Sequence, residues 1–166
     1  MGSRRRARAT ALQILCTLEK QPDLNVDQAI GLYFRHLAPS AALGGDELDD
    51  DSDDMDDEDA AALTAEAADH RRFSEDLVRG VRLSIGELDE LLARCSRNWR
   101  LERMSWVDRN LLRLASYELS RHSETPARVA INEAIEVAKR FGTTESPAFI
   151  NGVLDRVLGE IGRSGA

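Results

Sequence analysis

The spacing of apolar residues repeats at three and four positions almost throughout, which is the period of one helical face. In residues 4–20 the apolar positions are Ala11, Leu12, Leu15 and Leu18. At about 100° per residue, Arg6, Thr10, Gln13 and Thr17 fall on the opposite face as an exposed row. Residues 25–37 follow, with Val26, Ile30, Phe34 and Leu37 inward and Pro22 and Asn25 marking the start. Phe73, Leu77, Val81 and Ile85 recur every four residues and predict a third helix over 70–85. Leu88, Leu91, Leu92 and Cys95 predict a fourth from Glu87 to Cys95. Asn98-Trp99 breaks it, while Leu101 and Met104 continue the apolar lining. Trp99 and Trp106 read as core anchors or helix staples, not as surfaces for bases.

Ser105-Trp106-Val107-Asp108 has the S-x-x-D form of a capping box and opens a fifth helix to about His122. Val107, Leu111, Leu114, Ala115 and Leu119 form its stripe, flanked by Arg109 and Arg113. Glu118 on this helix reads as an ion-pair partner rather than a catalyst. The run from Val129 to Gly142 places Ile131, Ile135 and Ala138 on one face. Lys139 and Arg140 occupy its last turn, where cations suit the helix dipole, and Gly142 is expected in the left-handed C′ conformation. Ser146-Pro147 offers an N-cap and an N1 proline for a last helix. That helix carries Ile150, Val153, Leu154, Val157, Leu158 and Ile161.

No strand-like alternation is present, so the expectation is an all-α fold of about seven helices in two small bundles sharing a core. The whole chain, 1–166, is expected to be one domain. Only the stretch 40–68 departs from the helical pattern, with Gly44, Gly45, a dense acidic run and an alanine-rich segment. It is expected to be a disordered insertion. A solvated loop and a nucleic-acid mimic that screens the basic end are the two readings of it.

Charge changes the picture. The chain has 30 acidic and 22 basic residues, a net charge of −8. Residues 46–59 hold eleven of the acids, so removing them takes −8 to +3 for the remainder. The acidity is local, and it does not exclude a polyanionic partner. Arg4, Arg5, Arg6 and Arg8 lie within five positions at the start of the first helix, where they oppose the dipole. They read either as a solvated terminus or as a phosphate-binding patch.

Chemistry of other kinds is sparse. No phosphate-binding glycine loop, metal-ligand spacing, calcium loop or nucleophile with a neighbouring base is present, so no enzyme, metal or cofactor is expected. Cys16 and Cys95 read as reduced, mostly buried thiols. There is no apolar run of membrane-spanning length and no secretory h-region, so a cytoplasmic protein without a membrane is expected. Phe149 lies on the shoulder of the last helix, about 110° from the centre of its stripe. It reads either as packing against the preceding helix or as a stacking platform for an unpaired base near Lys139 and Arg140.

Three segments together carry a resemblance: Arg4-Arg5-Arg6-Ala7-Arg8, the central LLRLASYEL from Leu111 to Leu119, and VAINEAIEVAKRFG followed by ESPAFINGVLDRV. In that order they resemble the transcription antitermination factor NusB family, over residues 3–38 and 70–160. The resemblance implies binding of single-stranded, U-rich boxA-like RNA together with ribosomal protein NusE of the small subunit. It also implies a place in the transcription elongation complex that supports ribosomal RNA transcription, and it allows a homodimer. It further implies RNA contacts from Arg4, Arg5, Arg6, Arg8 and Gln13, and from Glu145 and Phe149 at the other end. Cys16 stands where the family often has tyrosine. The protein-partner surface would fall within Glu87 to Arg94 and Arg113 to Glu118. The connection that holds the acidic run is usually much shorter in the family. The family's fold also occurs fused to RNA methyltransferases, an arrangement not expected here. The competing reading is a helical adaptor that binds only proteins, its arginines merely solubilising.

Overall fold

The computed structural model describes residues 2–37 and 57–162, the side chains of 37 and 57–63 excepted. Among these residues there are seven α-helices and no strand. They are α1 (Ser3–Lys20), α2 (Val26–Leu32), α3 (Asp57–Leu83), α4 (Ile85–Cys95), α5 (Trp106–Arg121), α6 (Ala127–Phe141) and α7 (Ser146–Glu160). A π-type turn, Tyr33–Leu37, continues α2, and a 3-10 turn, Leu101–Arg103, precedes α5.

α5 is the axis shared by two bundles. On one side it packs against α1 and α3, with α2 laid on α1; on the other it packs against α4, α6 and α7. Its apolar stripe is buried at Leu111, Leu114, Ala115 and Leu119, but Arg109, Asn110, Arg113, Ser116 and Glu118 are buried as well. A helix enclosed on every side must bury its polar residues too, and the charged ones among them persist by pairing. Arg113 Nε and Nη2 donate to Asp89 Oδ1 and Oδ2 at 2.7 and 2.8 Å, tying α5 to α4. Arg109 pairs with Glu19 of α1 and donates from Nη1 to the Leu101 and Met104 carbonyls at 2.7 and 3.1 Å. α1 is likewise covered nearly all round, with Ala7, Ala11, Leu12, Ile14, Leu15 and Leu18 in the core. The exposed row expected on it is shortened: Thr10 is buried and Gln13 and Thr17 are half-buried.

The caps and ends show which local signals held. Asn25 and Gln28 form a reciprocal capping box, with Gln28 N–H to Asn25 Oδ1 at 2.8 Å and Asn25 N–H to Gln28 Oε1 at 3.0 Å. Ser105 Oγ accepts from Asp108 N–H at 3.1 Å, opening α5. Three expectations are corrected. α3 begins at Asp57 rather than at 70, because the alanine-rich segment extends the helix backwards; the helical part of the expected insertion is 57–68, and the acids of 46–56 lie outside the described residues. Gly142 is extended, with φ −90° and ψ −169°, not left-handed. Its missing Cβ instead lets Ser146 approach: a methyl there would sit 2.5 Å from Ser146 Oγ and 2.9 Å from the Ala138 carbonyl oxygen. Ser146 is the first residue of α7 rather than its N-cap, which is Glu145. The Ser146 hydroxyl accepts from Thr143 N–H at 2.9 Å and so closes the α6–α7 turn.

Candidate nucleic-acid interface

The four clustered arginines of α1 have different surroundings because successive helical positions point about 100° apart. Arg8 points inward and is 5% exposed. Its Nε donates to both oxygens of Glu118, at 2.9 and 3.1 Å, and its Nη2 to Glu118 Oε1 at 2.5 Å. Glu118 is thus the ion-pair partner its position suggested, and it takes Nε and Nη2 of Arg8, while Nη1 lies 4.0 Å from Glu133. Arg5 is half-buried and makes a two-pronged contact with Glu133 of α6, at 2.7 and 2.9 Å. That hydrogen bond holds the Glu133 carboxyl below its ordinary range and raises the Arg5 guanidinium above its own.

Arg4 and Arg6 face solvent. Arg4 lies over the Phe73 ring at 4.2 Å and 3.8 Å from Asp69. Arg6 donates to Glu66 at 2.9 Å. Both acids belong to α3, which runs alongside α1. Arg4 and Arg5 line a groove of about 480 Å³ with Phe73, Val129 and Glu133. Arg6 lines a second one, of about 640 Å³, with Thr10, Gln13, Tyr33, His70 and Arg140. Arg140 reaches this groove from the end of α6, so two segments more than a hundred positions apart in sequence meet there.

The floor of the second groove is a hydrogen-bonded set that the sequence did not announce. Thr10 Oγ1 lies 3.2 Å from the Tyr33 hydroxyl and 3.1 Å from His70 Nε2. Burial first, and then the Arg6 charge, lower the His70 pKa from its ordinary value. Neither Tyr33 nor His70 stands on a stripe that would have flagged it, and only the helix crossing brings them together.

The remaining candidates are placed apart. Lys139 is exposed and donates to Glu136 at 2.8 Å. Glu145 is exposed at the start of α7. The ring beneath Arg140 is Phe141, at 5.1 Å, and not Phe149. Phe149 is half-buried and meets Trp99 edge to face, with centroids 6.0 Å apart. The tryptophans are a correction: Trp99 is 58% exposed and Trp106 47% exposed, so neither is a core anchor. Trp106 lies under the Lys20 ammonium at 4.7 Å, and its carbonyl accepts from Asn110 at 2.8 Å. Arg97, Asn98 and Arg100 around Trp99 are the sequence signal that could have marked it as a surface residue. Cys95 is buried as expected, whereas Cys16 is only half-buried. No helix among the described residues is long and apolar enough to cross a membrane.

The described geometry has counterparts. The model of the NusB family matches residues 5–159. The transcription antitermination protein NusB of Myxococcus xanthus is 40% identical over 157 residues, covering 95% of both chains. That of Solibacter usitatus is 41% identical over 163 residues, covering 97% of this chain and 92% of the relative. The match to the protein of the same name from Syntrophotalea carbinolica is 50% identical but spans only 60% of this chain and 63% of the relative. Among solved structures, T. maritima NusB superposes with a TM-score of 0.70 at 30% identity, covering 98% of this chain and 93% of that one. A structure of antitermination factors NusB and NusE with double-stranded RNA has a TM-score of 0.68 at 18% identity, covering 96% of this chain and 98% of that one, and shares the fold. With a family match along most of its length and full-length relatives at about 40% identity, this chain belongs to the NusB family.

Proposed function

We propose that this chain is a transcription antitermination factor subunit. It binds single-stranded boxA-like RNA together with ribosomal protein NusE, within the transcription elongation complex, and supports ribosomal RNA transcription. It works by binding rather than by catalysis, in the cytoplasm, as one domain spanning 1–166. The observation that carries this reading is the second groove, where Arg6, Gln13 and Arg140 converge from opposite ends of the chain. Guanidinium groups around an aromatic-edged groove suit a phosphate backbone with unpaired bases. The names of the full-length relatives, and the solved NusB–NusE–RNA assembly of the same fold, support it.

The residues divide by role. Arg6, Gln13 and Arg140 contact RNA in the second groove, and Arg4 and Arg5 extend the contact through the first. Lys139 adds charge at the end of α6. Glu145 accepts from a sugar hydroxyl or a base N–H, and Phe149 stacks through its exposed part. Arg8 acts through Glu118 by fixing how α1 meets α5.

One observation favours the adaptor reading instead: each of Arg4, Arg5, Arg6 and Arg8 already has a carboxylate within 4.0 Å. The salt dependence of binding separates the two. Fluorescence anisotropy with a short U-rich RNA, with and without NusE, should give a log–log salt slope that falls by about 0.7 per phosphate contact removed. Arg6→Ala combined with Arg140→Ala should therefore flatten the slope by about 1.4 while leaving NusE binding in place. An unchanged slope and affinity would leave the adaptor reading standing.

A further inference from the structure

Trp99 sits on the connection between α4 and α5, 58% exposed. An aromatic ring contributes to folding in proportion to the area it buries, so a tryptophan needed only for packing would be far more enclosed. Among the described residues its ring partner is Phe149, at 6.0 Å and an interplanar angle of 69°. The two rings form a corner with an open side. The connection itself is held in place. Trp99 N–H donates to the Ser96 carbonyl at 2.9 Å, and Ser96 Oγ donates to the Leu92 carbonyl at 2.7 Å. Arg156 Nη1 of α7 donates to the Cys95 carbonyl at 3.0 Å, pinning the start of the connection to the helix that carries Phe149.

The charge around this corner is mainly positive. Arg97, Arg100 and Arg103 are exposed, and none has an ion-pair partner among the described residues. Glu102 is the one acid of the connection. Beside it, Arg94, Arg97 and Arg156 line a groove of about 480 Å³ in which Glu160 is the one acid. The arginines at the start of α1, by contrast, each have a carboxylate partner. Unpaired guanidiniums at a fixed turn, next to an open aromatic corner, match a strand that presents phosphates and π faces alternately.

We propose that the α4–α5 connection is a second RNA platform, on which a nucleobase stacks against Trp99 beside Phe149 while Arg97, Arg100 and Arg103 hold the neighbouring phosphates. This rests on the RNA-binding reading above and extends the path of the strand past Phe149. Stacking on an indole face tolerates any base, so the platform contributes affinity and strand length rather than sequence choice.

The full chain and a fluorescein-labelled U-rich RNA test it. Trp106→Phe leaves Trp99 as the sole tryptophan, and its emission should be quenched as RNA is added. Trp99→Leu should weaken RNA binding about tenfold, with NusE binding and melting temperature held, and Trp99→Phe should restore most of the affinity. Replacing Arg97, Arg100 and Arg103 by Ala should lower the salt slope by about 2. RNA affinity and Trp99 emission unchanged throughout, while Arg6→Ala with Arg140→Ala binds weakly, would overturn the platform and leave the main reading intact. Loss of NusE binding alone in Trp99→Leu would assign this face to a protein and overturn it as well. A wild-type chain that binds no RNA with or without NusE would overturn both.

Discussion

Arg8 shows how far one side chain can depart from the role its neighbours suggest. Four arginines in five positions look alike as letters, yet this one lies inside, held by three hydrogen bonds to Glu118. Removing one partner of a buried pair strands the other charge, at a cost of roughly 3–5 kcal/mol, whereas replacing both with apolar groups is often neutral. Arg8→Ala should therefore lower unfolding stability by that amount in urea titration, and Arg8→Met with Glu118→Leu should recover most of it. If Arg8→Ala instead unfolds like the parent and only loses RNA affinity, the inward placement does not govern. His70 gives a second residue-scale prediction. Burial keeps its folded pKa below the ordinary value of 6.5. A base with a lowered folded pKa is protonated first in the unfolded chain, so stability should fall as pH drops below 6.5 and level off under the folded pKa. His70→Gln should flatten that part of a melting-temperature profile. The lowered carboxyls of Glu124, Glu133 and Glu136 act in a separate window, losing their contribution only as pH falls below 4.5. A profile in His70→Gln that still declines between 6.5 and 4.5 would place the titration elsewhere.

At the scale of elements, the helices from α4 to α7 were legible because each pairs an apolar stripe with punctuation by Asn, Ser, Pro or Gly. The backward extension of α3 was not, since alanines and acids suit a helix and a solvated linker alike. The enclosed faces of α1 and α5 were not legible either: a pattern marks a preferred inner face, and only the packing shows that Thr10, Arg109 and Glu118 are covered too. For the same reason the sequence marked the charged and aromatic candidates but not which arginines were already paired. Gly142 was flagged for the right residue and the wrong cause, and its two explanations can be separated. If a left-handed backbone required glycine, Asn would be tolerated better than Ala. With an extended backbone and Ser146 Oγ 2.5 Å from where a methyl would stand, both should fail alike. Gly142→Ala and Gly142→Asn are each expected to cost about 1–3 kcal/mol, the range for overpacking. Adding Ser146→Ala should return little, because the Ala138 carbonyl oxygen still crowds the site. Asn tolerated at parental stability would restore the left-handed explanation.

At the scale of the molecule, the proposed RNA partner is a polyanion and the chain is itself acidic. Two sets of acids would oppose the RNA, those of 46–56 and the pair Glu66 and Asp69. The acids of 46–56 number eight, and removing them takes the net charge from −8 to 0. Charges acting through solvent over more than about 10 Å are largely screened at 0.1 M salt. Glu66 and Asp69 instead lie 2.9 and 3.8 Å from Arg6 and Arg4, well inside that length. A phosphate must displace these carboxylates to reach Arg6 and Arg4. Deleting 46–56 should therefore raise the association rate and the affinity for U-rich RNA at low salt, and the gain should vanish by about 0.3 M, where the screening length is shorter than 10 Å. Glu66→Gln with Asp69→Asn should give a gain that survives to higher salt, because it acts through direct competition for the guanidiniums. Measuring both variants across a salt series by stopped-flow and anisotropy separates steering from competition. If neither variant binds RNA more tightly than the parent at any salt, Arg4 and Arg6 do not meet phosphates and the α1 face is not part of the RNA path.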